Sequence, residues 1–297
     1  MGLYKSIKSY LGGMRYYIGF LNKEEMKLPV SERFSKIQWL DEGNYSSGWF
    51  ADPFIYRVEE NKIELFVEEW VNSSNKGRLC VLDIEKNKNG YLLKNVQPIL
   101  ELDTHLSFPI FLKENGKTYV YPENYQSGYL TIYEYDEIKR KLINPHRIIN
   151  EPLIDTAIVK IENHYYAFGT VRKYGSFEDT RFTYVYSSDN LLSGWSLFQI
   201  IENIRREERG AGAIFIHDGH IIRPAQNCTY SYGEDFILYE IKLENGCFRE
   251  IFLTRIEPDH KQFRGLAMHT FNKSGELCVI DGQEYKRYRI ARLLKSI

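Results

Sequence analysis

The chain has 297 residues, a hydrophobic fraction of 43% and a formal net charge of −1 at neutral pH. A sizeable core can form, and the scattered basic residues give no reason to expect a nucleic-acid partner. No apolar run approaches the ~18 residues of a membrane span, no signal peptide is visible, and the four cysteines lack CxxC spacing. We therefore expect free thiols and a cytoplasmic protein.

The first 36 residues differ from the rest, and we predict a separate N-terminal segment at 1–36 before a main domain at 37–297. Within residues 1–20, apolar side chains such as Leu3 and Ile7 recur at helical spacing beside lysines. One interpretation is a basic amphipathic helix that touches the inner face of a membrane. The alternative, which we favour, is a segment that packs on its own domain as a short helix or leads into the sheet.

The main domain begins with an apolar hairpin whose ends carry acids. Its first strand is predicted over 49–56 and its second over 63–70, with Asp52 near the start of one and Glu68 and Glu69 near the end of the other. The start of the first strand and the end of the second lie side by side in an antiparallel hairpin. The three carboxylates are therefore expected at one end of the sheet.

The same hairpin recurs four times along the chain. The later copies pair 106–112 with 118–123, 155–159 with 165–170, 212–216 with 220–226, and 268–271 with 277–281. By subtraction, the turn residues Asn61, Asn115, Asn163, Asp218 and Ser274 are separated by 54, 48, 55 and 56 residues. Repeats of ~50 residues made of strands are typical of propeller blades. We predict an all-β, five-bladed propeller with a short N-terminal helical or extended segment; a generic antiparallel sandwich is the alternative.

A propeller places the equivalent strand ends of all blades around one axis, which gathers polar residues from the whole chain at one mouth. The candidates are Asp52, Glu68, Glu69, His105, Glu123, Asp155, Arg209, Arg223, Gln226, His269 and Asp281. Glycosyl transfer or hydrolysis needs two carboxyl groups, ~5 Å apart for retention and ~6.5–9.5 Å apart for inversion. Crowded acids also separate in pKa, so one can remain protonated.

Several stretches resemble a known family. They are Ala51-Asp52-Pro53-Phe54, Leu65 to Glu69, His105 to Pro109, Tyr121 to Asn124, Asp155-Thr156-Ala157, and Arg223 to Cys228 with Tyr232-Gly233. Over roughly residues 40–290 the chain resembles the propeller domain that precedes the plant glucosamine inositolphosphorylceramide transferases, whose bacterial relatives occur in proteins linked to surface-polysaccharide synthesis. That domain is in turn similar to the five-bladed propellers of the arabinanase, levansucrase and invertase superfamily.

The resemblance implies roles for individual residues. Asp52 matches the base or nucleophile position, and Asp155 matches the aspartate that orients it. The blade-four segment 211–213 lacks the glutamate that serves as general acid in the superfamily, which disfavours plain hydrolysis. Glu123 and Glu68 remain as candidate acids.

We therefore predict a glycosyltransferase of surface-glycan biosynthesis that acts on a sugar nucleotide or glycan. The predicted catalytic residues are Asp52, Glu123, Glu68 and Asp155, and the predicted substrate-binding residues are Glu69, His105, Arg209, Arg223, Gln226, His269 and Asp281. The alternatives are a non-catalytic glycan or sugar-nucleotide binding module, a scaffold of a polysaccharide-synthesis complex, and a glycoside hydrolase. No metal-ligand cluster has diagnostic spacing, but an ion in the axial channel near His269 is left open. The structural alternative is that the aspartates cap strand ends and the histidine is a core residue.

Overall fold

The computed structural model describes residues 14–171, 182–202, 209–229, 232–261 and 264–285. These residues form five antiparallel sheets of four strands each. Blade one contains β3 (Gly48–Glu59), β4 (Lys62–Val71), β5 (Lys76–Asn87) and β6 (Gly90–Leu100). Blade two contains β7 (Phe111–Glu114), β8 (Lys117–Val120), β9 (Leu130–Asp136) and β10 (Lys141–Ile149). Blade three contains β11 (Leu153–Ile161), β12 (His164–Val171), β13 (Phe182–Ser188) and β14 (Ser196–Glu202).

The last two blades complete the ring. Blade four contains β15 (Phe215–His217), β16 (His220–Asn227), β17 (Asp235–Glu244) and β18 (Cys247–Ile256). Blade five joins β19 (Phe271–Ser274) and β20 (Leu277–Tyr285) to β1 (Met14–Asn22) and β2 (Gln38–Trp39) from the other end of the chain. A short helix, α1 (Val30–Lys36), and a 3-10 turn at Glu25–Lys27 connect β1 to β2. The predicted five-bladed propeller is confirmed, and the sandwich is wrong.

The predicted boundary between residues 36 and 37 is not a boundary of the fold. Strand β1 precedes it, yet it pairs with β20 over nine residues, from Met14 opposite Tyr285 to Asn22 opposite Leu277. Alternate side chains of β1, including Ile18 and Phe20, are buried, which is the period of a strand rather than a helix. The N-terminal segment therefore closes the ring. The predicted membrane-contacting helix falls mainly on residues 1–13, outside the described residues.

Aromatic rings fill the wedges between neighbouring blades. Between blades one and two, Phe66 packs edge-on against Phe111 and Tyr135. Between blades five and one, Phe20 stacks on Tyr91 with ring centroids 3.9 Å apart. Because neighbouring blades cover both faces of a sheet, the middle strands β4 and β5 carry long runs of buried residues that are mostly apolar.

In four blades, a residue with positive φ lies near or just before the start of the inner strand. Asp52, Phe108, Asp155 and Gly212 all have positive φ, and bulges shift the register at both aspartates, between Ala51 and Phe54 and between Ile154 and Ala157. Aspartate tolerates this left-handed region better than most residues. Bulges re-aim side chains, and strained backbone is concentrated at functional sites. The repeat therefore brings Asp52 and Asp155 to the axis by the same local device.

Two further predictions concern the whole chain. All four cysteines are free, and Cys80 and Cys278 are buried, as expected for thiols that do not form disulfides. Among the described residues, no helix is long and apolar enough to cross a membrane. The compartment stays a prediction.

Candidate functional site

Polar side chains from all five blades meet at one end of the inner strands. Eight of the eleven predicted site residues belong to this cluster: Asp52, Glu68, Glu123, Asp155, Arg209, Gln226, His269 and Asp281. Each is at most 7% exposed. Buried charges persist only when they are paired or hydrogen-bonded, so the contacts within this cluster define its chemistry.

Asp52 connects three blades. Its Oδ2 accepts a hydrogen bond from the backbone N–H of Phe108 in blade two at 3.0 Å, and its Oδ1 accepts one from the hydroxyl of Thr270 beside blade five at 2.6 Å. The backbone N–H of Asp52 in turn donates to Oδ2 of Asp281 at 3.3 Å. The strand-capping interpretation of Asp52 is therefore partly right, because the same carboxylate that faces the axis also joins neighbouring blades.

His269 and Asp281 form a buried ion pair beside Asp52. Nδ1 of His269 lies 2.7 Å from Oδ2 of Asp281 and 3.7 Å from Oδ1 of Asp52. The other oxygen of Asp281 accepts the backbone N–H groups of His269 and Thr270. Burial opposes the imidazolium, but Asp281 outweighs it and raises the pKa of His269 to about 9.

A second ion pair lies on the blade-three and blade-four side. Nε and Nη2 of Arg209 both lie 2.7 Å from Oδ2 of Asp155, and Nε2 of Gln226 donates to the same oxygen at 2.9 Å. Burial opposes ionisation of Asp155, but Arg209 prevails and the pKa of Asp155 is lowered. Glu123 hydrogen-bonds to Asp155, and its Oε2 lies 3.6 Å from Nη2 of Arg209. That oxygen has no hydrogen-bond partner among the described residues.

Glu68 links the cluster to the outer rim. It hydrogen-bonds to Asp52, and its Oε1 lies 3.6 Å from Nε2 of His105. The other ring nitrogen of His105 accepts the backbone N–H of Gly77 at 2.8 Å, so Nε2 carries the proton and faces Glu68. His105 is half-buried, and burial lowers its pKa. A side chain at Gly77 would meet both residues, since an added Cβ would lie 2.6 Å from Oε1 of Glu68.

The cluster holds five carboxyl groups and only two cationic groups. Arg209 lies closest to Asp155 and His269 lies closest to Asp281. Asp52 and Glu123 approach the same two cations only at 3.7 and 3.6 Å, so the acids of the cluster outnumber the cations that they share. Burial raises the pKa of Asp52, Glu68 and Glu123, and neighbouring carboxylates raise it further. The pKa values of Glu68 and Glu123 are raised well above the usual range of a glutamate, which makes both of them candidates for a general acid.

Asp52, His269 and Asp281 are also a candidate metal-binding group, because their ligand atoms lie within 4.8 Å of one another. The contacts fit a proton better than a metal ion. Nδ1 of His269 is at hydrogen-bonding distance from Asp281, and each carboxylate oxygen of Asp52 and Asp281 already accepts at least one hydrogen bond. An axial ion stays a prediction, and no step is assigned to one.

Two predicted site residues lie elsewhere. Glu69 is adjacent to Glu68 on a strand and therefore points to the opposite face, where it binds Nε of Arg78 at 2.8 Å and contacts Cys80. Arg223 lies three residues from Gln226, also on the opposite face, and its Nε donates to Glu250 of the outer strand at 2.5 Å. The structure therefore does not bring either residue into the cluster, and a role of theirs in substrate binding stays a prediction.

Sequence reasoning missed two residues of the cluster and an aromatic wall beside it. Thr270 donates a hydrogen bond to Asp52, and Tyr16 stacks on His269. Tyr16 was not predicted as a site residue because β1 was not predicted as a strand. Rings then follow one another along the rim: His269, Tyr16, Trp49, Trp70 and His105, with centroid separations of 4.6, 5.5, 5.5 and 5.8 Å. The sequence did contain a signal for this wall, because Trp70 lies two residues after Glu68 on β4 and therefore on the same face.

The sequence matches the family described as "Glucosamine inositolphosphorylceramide transferase 1, N-terminal" over residues 17–274. The chain belongs to this family. A rice protein (Oryza sativa subsp. japonica) named glucosamine inositolphosphorylceramide transferase 1 is 27% identical over 215 residues, which are 71% of this chain and 28% of the rice protein. The Arabidopsis thaliana protein of the same name is 28% identical over 257 residues, which are 80% of this chain and 32% of that protein. The chain thus spans about a third of the length of these relatives.

Solved structures with the same fold include an α-L-arabinanase from Cellvibrio cellulosa in complex with arabinohexaose. It superposes with a TM-score of 0.51 at 12% identity, covering 72% of this chain and 85% of the arabinanase. The resemblance to the arabinanase superfamily is therefore confirmed at the level of the fold.

Proposed function

We propose that the protein is a carbohydrate-active enzyme that transfers a glycosyl group, with Asp52 as the base and Glu123 as the acid. The observation that carries this proposal is the excess of buried carboxyl groups over cationic groups at the propeller axis. Such an excess costs stability in a purely structural core. It suits a site in which one acid must stay protonated while another accepts a proton.

The contacts favour Glu123 over Glu68 as the acid. Glu68 shares a hydrogen bond with Asp52, so these two groups are too close to stand on either side of an anomeric carbon, which needs ~5 Å or more between carboxyl groups. Glu123 instead contacts Asp155 and influences Asp52 only through charge. Asp155, held by Arg209, would keep Glu123 protonated and oriented.

A balanced transfer step uses these two groups. An acceptor hydroxyl attacks the anomeric carbon and gives its proton to Asp52, while the bond to the leaving group breaks and Glu123 supplies a proton to the departing oxygen. A retaining route, with Asp52 as nucleophile, uses the same residues in two steps. After the transfer, Asp52 releases its proton to solvent and Glu123 takes one up, which restores both groups for the next turnover.

The aromatic wall supports a sugar substrate. Trp49 and Trp70 are partly exposed and lie on the same side of the site as Glu68. Aromatic rings offer apolar faces that suit the C–H faces of sugar rings, while their polar atoms remain available at the edges. The family relatives are named glucosamine inositolphosphorylceramide transferases, which favours glycosyl transfer over plain hydrolysis. We extend the proposal to surface-glycan assembly with a sugar-nucleotide donor.

The test is a screen of the purified protein with nucleotide sugars and short glycans, read by mass spectrometry of the products. Asp52→Asn keeps one oxygen that can accept the N–H of Phe108, and its amide nitrogen can donate to the hydroxyl of Thr270, but the base is lost. Glu123→Gln loses the acid. Each variant should therefore reduce turnover by ~100-fold or more. Asp83→Asn, in a surface ion pair with Arg140, is the control and should retain full turnover.

A non-catalytic binding module is the second candidate, because both oxygens of Asp52 are held by hydrogen bonds that a structural residue would also make. Glycan binding that persists in Asp52→Asn, with no turnover of any donor by the native protein, would favour this candidate. Turnover that is unchanged in both Asp52→Asn and Glu123→Gln would contradict the proposed mechanism.

A further inference from the structure

A groove lies between the segment that follows β1 and blade four. One wall comprises Lys23, Met26 and Val30, and the other includes Phe215, Leu238 and Leu253. It encloses about 460 Å³, a volume within the range of ~300–1,000 Å³ found for small-molecule sites. The floor is mainly apolar, which suits a hydrocarbon chain more than a sugar.

The groove is distant from the acidic cluster. Lys273 lines it and lies four residues beyond His269 along the same stretch of chain, ~13 Å away for extended backbone. Lys273 and Phe215 lie near the turns of the inner hairpins, whereas the acids lie at the other end of those hairpins. The two sites are therefore on opposite ends of the inner strands.

The polar lining of the groove is cationic. Five lysine and arginine residues line it, and no Asp or Glu does so among the described residues. Lys27 and Arg255 are paired with Glu24 and Asp235, but no ion pair is formed by Lys23 or Lys273 within the described part of the chain. Burial and the charge of Lys23 lower the pKa of Lys273, and they outweigh the opposite effect of the nearby acids Asp218 and Glu276.

Arg33 provides an independent sign of a missing anionic partner. It is only 4% exposed, and its guanidinium meets the backbone carbonyls of Leu28 and Glu257 at 3.4 and 2.8 Å. Its Nε is buried without a hydrogen-bond partner among the described residues. A buried cationic donor without a hydrogen-bond acceptor costs folding free energy. A ligand that supplies an acceptor to Nε of Arg33 would remove this cost, which favours its binding.

From the apolar floor, the unpaired lysines and the unsatisfied arginine, we propose that this groove binds a single-chain anionic amphiphile. Its hydrocarbon chain would lie against Phe215, Leu238 and Leu253, and its phosphate or carboxylate head would lie between Lys23 and Lys273, within reach of Arg33. Charge complementarity selects an anion, and the apolar floor selects an amphiphile over a free inorganic anion.

The test is calorimetric titration of the full chain with dodecyl phosphate below its micelle concentration, compared with dodecanol and inorganic phosphate. We expect dodecyl phosphate to bind at least ~10-fold more tightly than either comparison ligand, because each lacks one of the two interactions. Lys273→Gln and Lys23→Gln should each weaken dodecyl phosphate binding by ~5-fold or more.

The control variants separate this site from the mouth. Lys117→Gln, an exposed lysine of blade two, and Asp52→Asn should bind dodecyl phosphate as the native protein does, whether or not the chain proves to be a glycosyltransferase. Three results would overturn the proposal: no binding of dodecyl phosphate, equal binding of dodecanol or inorganic phosphate, or unchanged binding by both lysine variants.

Discussion

At the scale of the residue, the cluster at the propeller axis favours protonated carboxyl groups. Two carboxylates are neutralised by Arg209 and His269, and the remaining three carboxyl groups have raised pKa values because burial and their neighbours oppose ionisation. The same arrangement that makes Glu123 a candidate acid also makes stability depend on pH, because the folded cluster holds protons that the unfolded chain releases.

His269 gives the clearest pH prediction. Its pKa is raised to about 9, against ~6.5 in an unfolded chain. The stability that it contributes is fully present below pH ~6.5 and is lost as the pH rises through 9, with a total of the order of 3 kcal/mol. Urea denaturation at a series of pH values should therefore show a falling free energy of unfolding across this window.

The acids with raised pKa values also lose stability as the pH rises, so a variant is needed to isolate the contribution of His269. His269→Gln should be less stable than the native protein at pH 6 and should lose less stability by pH 9. Parallel pH profiles for the two proteins would contradict the assignment of a buried imidazolium.

At the scale of the element, strand alternation decides which acids face the axis. Glu68 and Glu69 are consecutive residues of β4, and only Glu68 points to the cluster. The spacing of Arg223 and Gln226 on β16 has the same consequence. Strand ends could be located from the sequence, but a shift of one residue exchanges the two faces, and nothing in the local sequence fixes that register.

The two glutamates of β4 make a matched pair of variants. Glu69→Gln removes a fully buried carboxylate that binds the partly exposed Arg78, and we expect it to cost ~2 kcal/mol of unfolding free energy, because Arg78 keeps its second partner, Glu101. Burial raises the pKa of Glu68 well above its usual range, so the folded protein disfavours its charge. Glu68→Gln, which brings in a neutral side chain of similar shape, should therefore cost less than ~1 kcal/mol at pH 6. Chemical denaturation of both variants at that pH checks the contrast. Equal losses would show that both side chains serve the same structural purpose.

The inner hairpins were predictable because each combines a polar turn with two apolar strands, and the bounds agree within a few residues in blades one and three. The inner strands of blades two and four are shorter than predicted, since β7 starts at Phe111 and β15 at Phe215. Strand β1 was not predicted because its partner, β20, lies at the other end of the chain, and pairing at that separation leaves no local signal. Because β1 was not predicted, Tyr16 and its part of the aromatic wall were not predicted either.

At the scale of the whole molecule, one strand pairing closes the ring. Every other blade is built from a continuous stretch of chain, but blade five needs β1 to pair with β20. The acidic cluster depends on this closure, because His269 and Asp281 of blade five face Asp52 of blade one, and Tyr16 of β1 stacks on His269 at 4.6 Å. A ring that opened at β1 would separate the groups to which we assign the chemistry.

A cross-link can test this closure directly. Leu21 of β1 and Cys278 of β20 are direct partners in the antiparallel pair, and both are buried in the same apolar cluster. Partners of this kind point to the same face with Cβ atoms ~4.5–5.5 Å apart, close to the spacing that a disulfide needs. Leu21→Cys should therefore form a disulfide with the native Cys278 under oxidising conditions.

The disulfide would close a loop that includes almost the entire propeller, so oxidation should stabilise the Leu21→Cys variant by ~2–4 kcal/mol relative to its own reduced form. Denaturant titrations with and without reductant measure this difference, and peptide mapping identifies the bond. The double variant Leu21→Cys, Cys278→Ser should show no response to oxidation. If the single variant keeps both thiols free under oxidising conditions, then β1 does not lie against β20, and the ring that brings the five carboxyl groups together is not closed in this way.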